Sequence, residues 1–339
     1  MVRVGVIGYG YWGPNLVRHF AQLRDCRLAA VAESDEARLE QFRRLHPTVR
    51  AAALGEELLD ASDIDAFAIA TPISTHYALA REALLRGKHV LVEKPMTATV
   101  SQSKELIGLA EEQDKVLMVD HTFVYSGAVR KIRELVQAGE LGEIYYYDAV
   151  RINLGRFQRD LNVLWDLAPH DFSIMSYLID KKPVAVSAVG AAPIRWDGWR
   201  PESIAYVTVE YGDGTLGHLH LNWLSPVKIR RALIGGSQKI VVYDHLDPDN
   251  QVKIFDKGVD AVTDEDRRRI LVQYRTGDMH APKVDQTEAL ELACRDFVAC
   301  VRTGRRPVTD GWAGLRVVQL LEAAQKSLDA KGKAALSAV

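Results

Sequence analysis

The chain has 339 residues, 47% hydrophobic and 26% charged, with a formal net charge of −2. That length suits two globular domains, and the near-neutral balance argues against a nucleic-acid partner held through phosphates. No apolar run approaches the roughly 20 residues of a membrane-spanning helix, and three cysteines without a CxxC pair fit core positions in a reducing compartment better than a disulfide framework.

Val2–Ile7 reads as a short apolar strand. The chain enters it with no basic, apolar and cleavable leader, so a cytoplasmic location is expected. The strand runs into Gly8-Tyr9-Gly10-Tyr11-Trp12-Gly13 and then a helical pattern with Pro14 in its first turn. A G-x-G-x-x-G turn between strand and helix is a dinucleotide-binding fingerprint. Gly8 would permit the tight turn, Gly10 would let backbone approach a pyrophosphate, and Gly13 would let the helix pack on the strand. The helix N-terminus then offers N–H groups to the phosphates. Tyr11 and Trp12 lie inside the turn and join the glycines as candidate cofactor contacts.

Strand and helix then alternate. Strands are predicted at Arg27–Glu33, Asp65–Ala70, His89–Val92 and Val116–Val119. Helices are predicted from Asp35 to about Leu45, Thr75 to Arg86, and Ser101 to about Gln113. Such alternation predicts an α/β fold, a Rossmann-type doubly wound parallel sheet. Glu33 ends the second strand, where a carboxylate accepts from ribose hydroxyls and repels a 2′-phosphate, so NAD is the expected cofactor. Ser34 and Arg38 lie nearby and could instead receive a 2′-phosphate, which leaves NADP open. Thr71-Pro72 ends the third strand at the edge of the expected crevice, with Ser74 or Thr75 as a helix cap. Lys94, in Glu93-Lys94-Pro95, follows the next strand. Its ammonium could hydrogen-bond a substrate hydroxyl and stabilise a developing alkoxide.

The pattern changes after about Thr122. A helix from Gly127 to about Ala138, a β-like segment Glu143–Leu154 and a helix Asp166–Leu178 come first. Successive strands follow at Val184–Val189, Ile204–Tyr211, Leu216–Leu224, Val227–Ile234 and Lys239–Tyr243, with a Gly212-Asp213-Gly214 hairpin turn. Helices at about Thr287–Arg302 and Gly311–Ala330 close the chain. The expected organisation is a dinucleotide-binding domain, 1–122, and an α+β substrate and oligomerisation domain, 123–339, with a large, mostly antiparallel open sheet. One sheet face needs cover, so a homodimer or homotetramer is expected.

Asp166 and His170 are four residues apart and share a face if both are helical. Pro169 would sit in the first turn, placing Asp166 near the N-cap. Two readings stand on these residues. In one, Asp166 caps and His170 is a satisfied core histidine. In the other, His170 is a general base and Asp166 orients it. Asn153, Arg156 and Arg159 precede this helix and are candidates for binding substrate hydroxyls or an anionic group. His76, His121, His170, His218 and His220 show no zinc-ligand spacing, so no metal is expected. No G-x-S-x-G elbow is present.

Taken together, the glycine turn, Ala70-Thr71-Pro72 with His76, Glu93-Lys94-Pro95, and Asp166 four residues before His170 resemble the glucose–fructose oxidoreductase/inositol dehydrogenase/rhizopine-catabolism (Gfo/Idh/MocA) family of sugar and cyclitol dehydrogenases. Gly142-Glu143-Ile144 also looks like that family, and the resemblance spans nearly the whole chain. It implies that Lys94 is the catalytic lysine, that Asp166 and His170 surround the reacting hydroxyl, and that Glu93 and the His76 segment serve the cofactor. It implies an NAD(P)-dependent oxidoreductase that moves a hydride between nicotinamide and a secondary hydroxyl or ketone of a sugar-like small molecule. The Gly-Tyr-Gly-Tyr-Trp-Gly-Pro-Asn opening looks like a subset linked to nucleotide sugars. The alternative is a non-catalytic NAD-binding regulator of the same fold.

Overall fold

The computed structural model describes residues 1–155, 157, 161–195, 198–260, 273–331 and 333–335. The chain divides into two compact units, Met1–Tyr125 with Thr287–Gln319, and Ser126–Gln286 with Leu320–Val339.

In the first unit, β1 (Val2–Ile7), α1 (Gly13–Gln22), β2 (Cys26–Ala32), α2 (Glu36–Leu45), β3 (Arg50–Ala52), α3 (Glu56–Leu59), β4 (Ala66–Ile69), α4 (Ile73–Leu85), β5 (His89–Glu93), α5 (Val100–Glu112) and β6 (Leu117–Asp120) follow in order. The six strands are parallel and lie in the order β3-β2-β1-β4-β5-β6. This is the doubly wound dinucleotide-binding order, and its direction reverses between β1 and β4. All four residues of β4 are buried, as a strand covered on both faces requires. Phe67, Ile69, Val90, Val92 and Val119 pack with Leu79, Ala83 and Leu84 of α4 and Leu106 and Ile107 of α5. Apart from Ala83, each such side chain contributes about 1.5–3 kcal/mol on burial.

The closing segment supplies more cover. α8 (Ala289–Thr303) buries Leu290, Ala293, Cys294, Phe297, Val298 and Cys300, and Phe297 meets Phe20 of α1 edge-on at 6.3 Å. Leu315 and Val318 of α9 (Gly311–Asp329) join the first unit's core. The expected division into 1–122 and 123–339 therefore needs correction at its end. Residues 287–319 return to the first unit, because a parallel sheet needs helices on both faces.

The second unit carries α6 (Gly127–Gln137), β7 (Ile144–Leu154), α7 (Val163–Leu178), β8 (Pro183–Ala191), β9 (Ile204–Tyr211), β10 (Leu216–Asn222), β11 (Leu224–Gly236), β12 (Ile240–Asp244), β13 (Val252–Asp260), β14 (Gln273–His280) and β15 (Lys333–Ala335). Among the described residues these strands form one nine-stranded sheet, β14-β13-β12-β11-β7-β10-β9-β8-β15. Only the central β7–β10 pair is parallel. The β9–β10 hairpin turns where expected, with Gly214 at φ +90° and Asp213 Oδ1 accepting from Thr215 N at 3.1 Å. Helix α7 packs on β7, β9 and β10. Tyr147, Ala149 and Arg151 of β7 alternate onto one buried face. On the other face Tyr206 stacks on His220 at 4.5 Å and stands beside His218, while Val189, Tyr206 and Leu216 are exposed.

Candidate active site

The glycine turn closes at the carboxyl end of β1. Gly8 adopts φ +96°, and a Cβ there would lie 2.6 Å from the Ala70 carbonyl oxygen. A Cβ on Gly13 would lie 2.0 Å from the Gly8 carbonyl oxygen. Neither position can carry a side chain. At Gly10 the nearest atom to such a Cβ is the Arg38 guanidinium Nη1 at 3.5 Å, so this stretch of backbone stays open to a close-approaching group. Trp12 is the N-cap of α1 and makes no side-chain cap hydrogen bond. The start of α1 thus carries no side-chain cap, and a helix N-terminus left in that state suits an anion. The cradle fits a dinucleotide pyrophosphate.

Trp12 itself serves a different partner. Its indole Nε1 donates to Asp120 Oδ2 at 3.1 Å, tying the glycine turn to the end of β6. Tyr11 is 78% exposed. Glu33, only 7% exposed, accepts from Tyr9 N at 2.7 Å through Oε2 and from Asp35 N at 2.8 Å through Oε1. Its carboxylate fixes the glycine turn. A carboxylate has further lone pairs for hydroxyl donors.

At the end of β4, Thr71 Oγ1 accepts from Thr75 Oγ1 at 2.7 Å, and α4 starts at Ile73 with Pro72, not Ser74 or Thr75, as its N-cap. His76 is 1% exposed. Its Nε2 lies 2.8 Å from the Thr71 carbonyl oxygen and its Nδ1 2.9 Å from that of Pro95. Both ring nitrogens face backbone, so His76 supports the crevice rather than touching a cofactor through them.

Glu93 is the last residue of β5 and the register partner of Asp120 in β6. Glu93 Oε2 accepts from Lys94 N at 3.1 Å, and Asp120 accepts from Thr122 Oγ1 at 2.8 Å. Burial first, then the neighbouring Asp120, holds the Glu93 carboxyl well above the usual carboxylate range. The neighbouring buried carboxyl thus adds to the cost of ionising Glu93. Lys94 follows, half-buried, with a cis bond to Pro95. His121 is fully buried. Burial, then the Lys94 and Arg316 charges, push its pKa down to about 3.

In the second unit, α7 starts earlier than the sequence suggests. Asn162 is its N-cap, accepting from Trp165 N at 3.1 Å through Oδ1 and donating to Glu202 and Gln325 at 2.9 Å each. Pro169 therefore lies inside the helix, not in its first turn, and Asp166 is not the cap. Pro169 cannot donate to the Trp165 carbonyl. Asp166 and His170 are half-buried on one face, and Asp166 Oδ2 accepts from Trp223 Nε1 at 3.1 Å. Trp223 is fully buried over Gly155 and 5.1 Å from the Phe157 ring. Next to His170, Asp171 forms a buried bidentate pair with Arg151 at 2.5 and 3.2 Å, locking α7 to β7. Asn153 shares the Arg151 face of β7, and its Nδ2 donates to the Leu154 carbonyl at 2.9 Å. Arg156 and Arg159 lie outside the described residues.

The structure thus gathers Gly8, Gly10, Gly13, Glu33, Thr71, Glu93 and Lys94 at the carboxyl ends of the first unit's strands. It gathers Asp166 and His170 on one helix face of the second. Sequence reasoning missed Asp120 and Trp223. Asp120 ends a strand beside Glu93, a signal available from the parallel alternation. Trp223 had only its residue type.

Residues 2–121 match the family model described as oxidoreductase family, NAD-binding Rossmann fold, and residues 129–242 match the GFO/IDH/MocA C-terminal domain. The UDP-N-acetylglucosamine 3-dehydrogenase of Acidithiobacillus ferrooxidans is 29% identical over 323 residues, covering 94% of each chain. A solved structure of that enzyme superposes with a TM-score of 0.81 at 28% identity, over 97% of this chain and 98% of that one. The inositol 2-dehydrogenase of Rhizobium meliloti is 26% identical, over 97% of this chain and 98% of its own length.

Proposed function

Because this chain belongs to the GFO/IDH/MocA oxidoreductase family, we propose that it is an NAD-dependent dehydrogenase acting on a secondary hydroxyl of a sugar, nucleotide sugar or cyclitol. The observation that carries this is Lys94, a lysine at the carboxyl end of β5 in a sheet whose glycine cradle fits a dinucleotide. Bound NAD would take up or return the hydride.

The chain's own residues do the rest. Gly8, Gly10, Gly13 and the α1 N-terminus hold the pyrophosphate, and Glu33 takes the adenosine ribose. Lys94 donates a hydrogen bond to the substrate oxygen and stabilises negative charge growing there. His170 accepts the hydroxyl proton as general base. Asp166, itself held by Trp223, orients that exchange. Asn153 and Arg156 bind other hydroxyls or an anionic group of the substrate. A nucleotide-linked sugar is the favoured class, given the 29% identity over 94% of the chain to a nucleotide-sugar dehydrogenase.

The same reading gives the second unit's uncovered sheet face to another copy of the chain, as a homodimer or homotetramer. It gives the protein a cytoplasmic location, in keeping with three unpaired, buried cysteines. Among the described residues no helix is long and apolar enough to cross a membrane. The test is absorbance at 340 nm with NAD and a panel of UDP- and dTDP-sugars, free sugars and inositols. Turnover of one class is expected. Tight NAD binding with no turnover across the panel would favour a non-catalytic regulator.

A further inference from the structure

His76 lies in the first turns of α4, where side chains tilt back toward the helix N-terminus. That tilt delivers Nε2 to the Thr71 carbonyl oxygen at 2.8 Å, while Nδ1 reaches across to the Pro95 carbonyl oxygen at 2.9 Å. Both partners are backbone carbonyls, which only accept. A neutral imidazole has one N–H and one bare nitrogen. In the neutral form one contact would set a nitrogen lone pair against an oxygen lone pair at hydrogen-bond distance. The ring is 1% exposed, so solvent does not relieve that conflict.

We propose that His76 is held as a doubly protonated imidazolium and is the positioning residue that ties the Thr71 loop to the Lys94–Pro95 loop. Two charge-assisted N–H donors satisfy both carbonyls at once. Thr71 closes β4 beside the glycine turn, and Pro95 directly follows Lys94. The staple therefore joins the backbone of the cofactor crevice to the backbone that presents the lysine. No side chain with a single donor atom spans both carbonyls, so Gln or Asn keeps one bond and loses the other.

The staple itself is independent of any reaction, whereas its kinetic consequence rests on the dehydrogenase reading. Neutron diffraction from deuterated wild-type crystals near neutral pD tests the first part. Deuterium on both Nδ1 and Nε2 is expected, and one bare ring nitrogen overturns the proposal. This measurement decides it even where a variant fails to fold. His76→Gln and His76→Phe test the second part. Turnover should fall about tenfold to a hundredfold, with NADH affinity and substrate KM within about twofold, because neither ligand's own contacts are removed. Unchanged turnover in both folded variants overturns the positioning role. A wild type that turns over nothing, yet carries both deuterons, would sink the dehydrogenase reading and leave the staple standing.

Discussion

The same alanine substitution at three glycines should separate folding from cofactor binding. At Gly8 an alanine must hold φ +96° and place its methyl 2.6 Å from the Ala70 carbonyl oxygen. Left-handed backbone costs about 1–2 kcal/mol for a side chain, and overpacking adds about 1–3 kcal/mol, so Gly8→Ala should lose about 2–5 kcal/mol. Gly13→Ala meets the Gly8 carbonyl oxygen at 2.0 Å, a rigid backbone atom, and should lose about 3 kcal/mol. Gly10→Ala meets only the flexible Arg38 guanidinium at 3.5 Å. It should leave the cofactor-free protein unchanged or up to about 1 kcal/mol more stable. Its methyl would occupy the space that the pyrophosphate needs, and NADH affinity should fall at least tenfold, about 1.4 kcal/mol. Urea unfolding without cofactor measures the first set, and NADH fluorescence titration the second. A Gly10→Ala protein that binds NADH like wild type, or unfolds like Gly8→Ala, would refute the assignment of this turn as the phosphate cradle.

Lys94→Ala and His170→Asn should each reduce turnover by about 10²–10⁴-fold at wild-type urea midpoints; full activity in both would remove these residues from the chemistry. Arg151→Met should cost about 3–5 kcal/mol by stranding Asp171 in the core. Arg151→Met/Asp171→Leu should recover most of that loss, and a double variant no better than the single one would show that the ion pair is not the source. His121 is neutral in the folded protein down to pH about 3, whereas an unperturbed imidazole titrates near 6.5. The unfolded chain thus binds the extra proton in that window, and stability falls as pH drops from 6.5 toward 3, by about 1.4 kcal/mol per pH unit. His121→Leu should flatten that part of the urea-midpoint profile, and a profile parallel to wild type would contradict it. Arg38→Ala should weaken NADPH binding more than NADH binding, since only the former offers a 2′-phosphate; equal losses would exclude Arg38 from cofactor choice.

The first unit was largely legible because each signal is local. A buried strand, a glycine turn and a helix start sit within twenty residues, and Glu33 and Lys94 are placed by counting strands. What escaped was short or delivered from far away. β3 and α3 have three and four residues, too few for a periodicity to show. α8 and the start of α9 returned to the first unit because of a need for cover, which no local pattern announces. In the second unit β13 alternates apolar residues only at Val252 and Ile254 before turning polar, and β14, QYRTGDMH, shows no apolar alternation. Pro169 misled for a physical reason. A proline penalises helix at its own position, but α7 is anchored upstream by Asn162, whose side chain is held by Glu202 and Gln325, 40 and 163 residues away.

The residues that prepare the candidate site belong to this second kind. Trp223 reaches Asp166 across 57 residues, and Trp12 reaches Asp120 across 108. Glu93 and Asp120 are neighbours because β5 and β6 pair in register, a link that strand alternation carries and local spacing does not. By local rules this is a poor arrangement, since burial raises the cost of each charge and the second carboxylate raises it further. It persists beside Lys94, whose backbone N–H bonds to Glu93. A fold built for stability alone would place apolar residues at the ends of both strands. Local conflicts of this kind concentrate at functional sites, which supports the proposed cofactor site at the ends of β5 and β6.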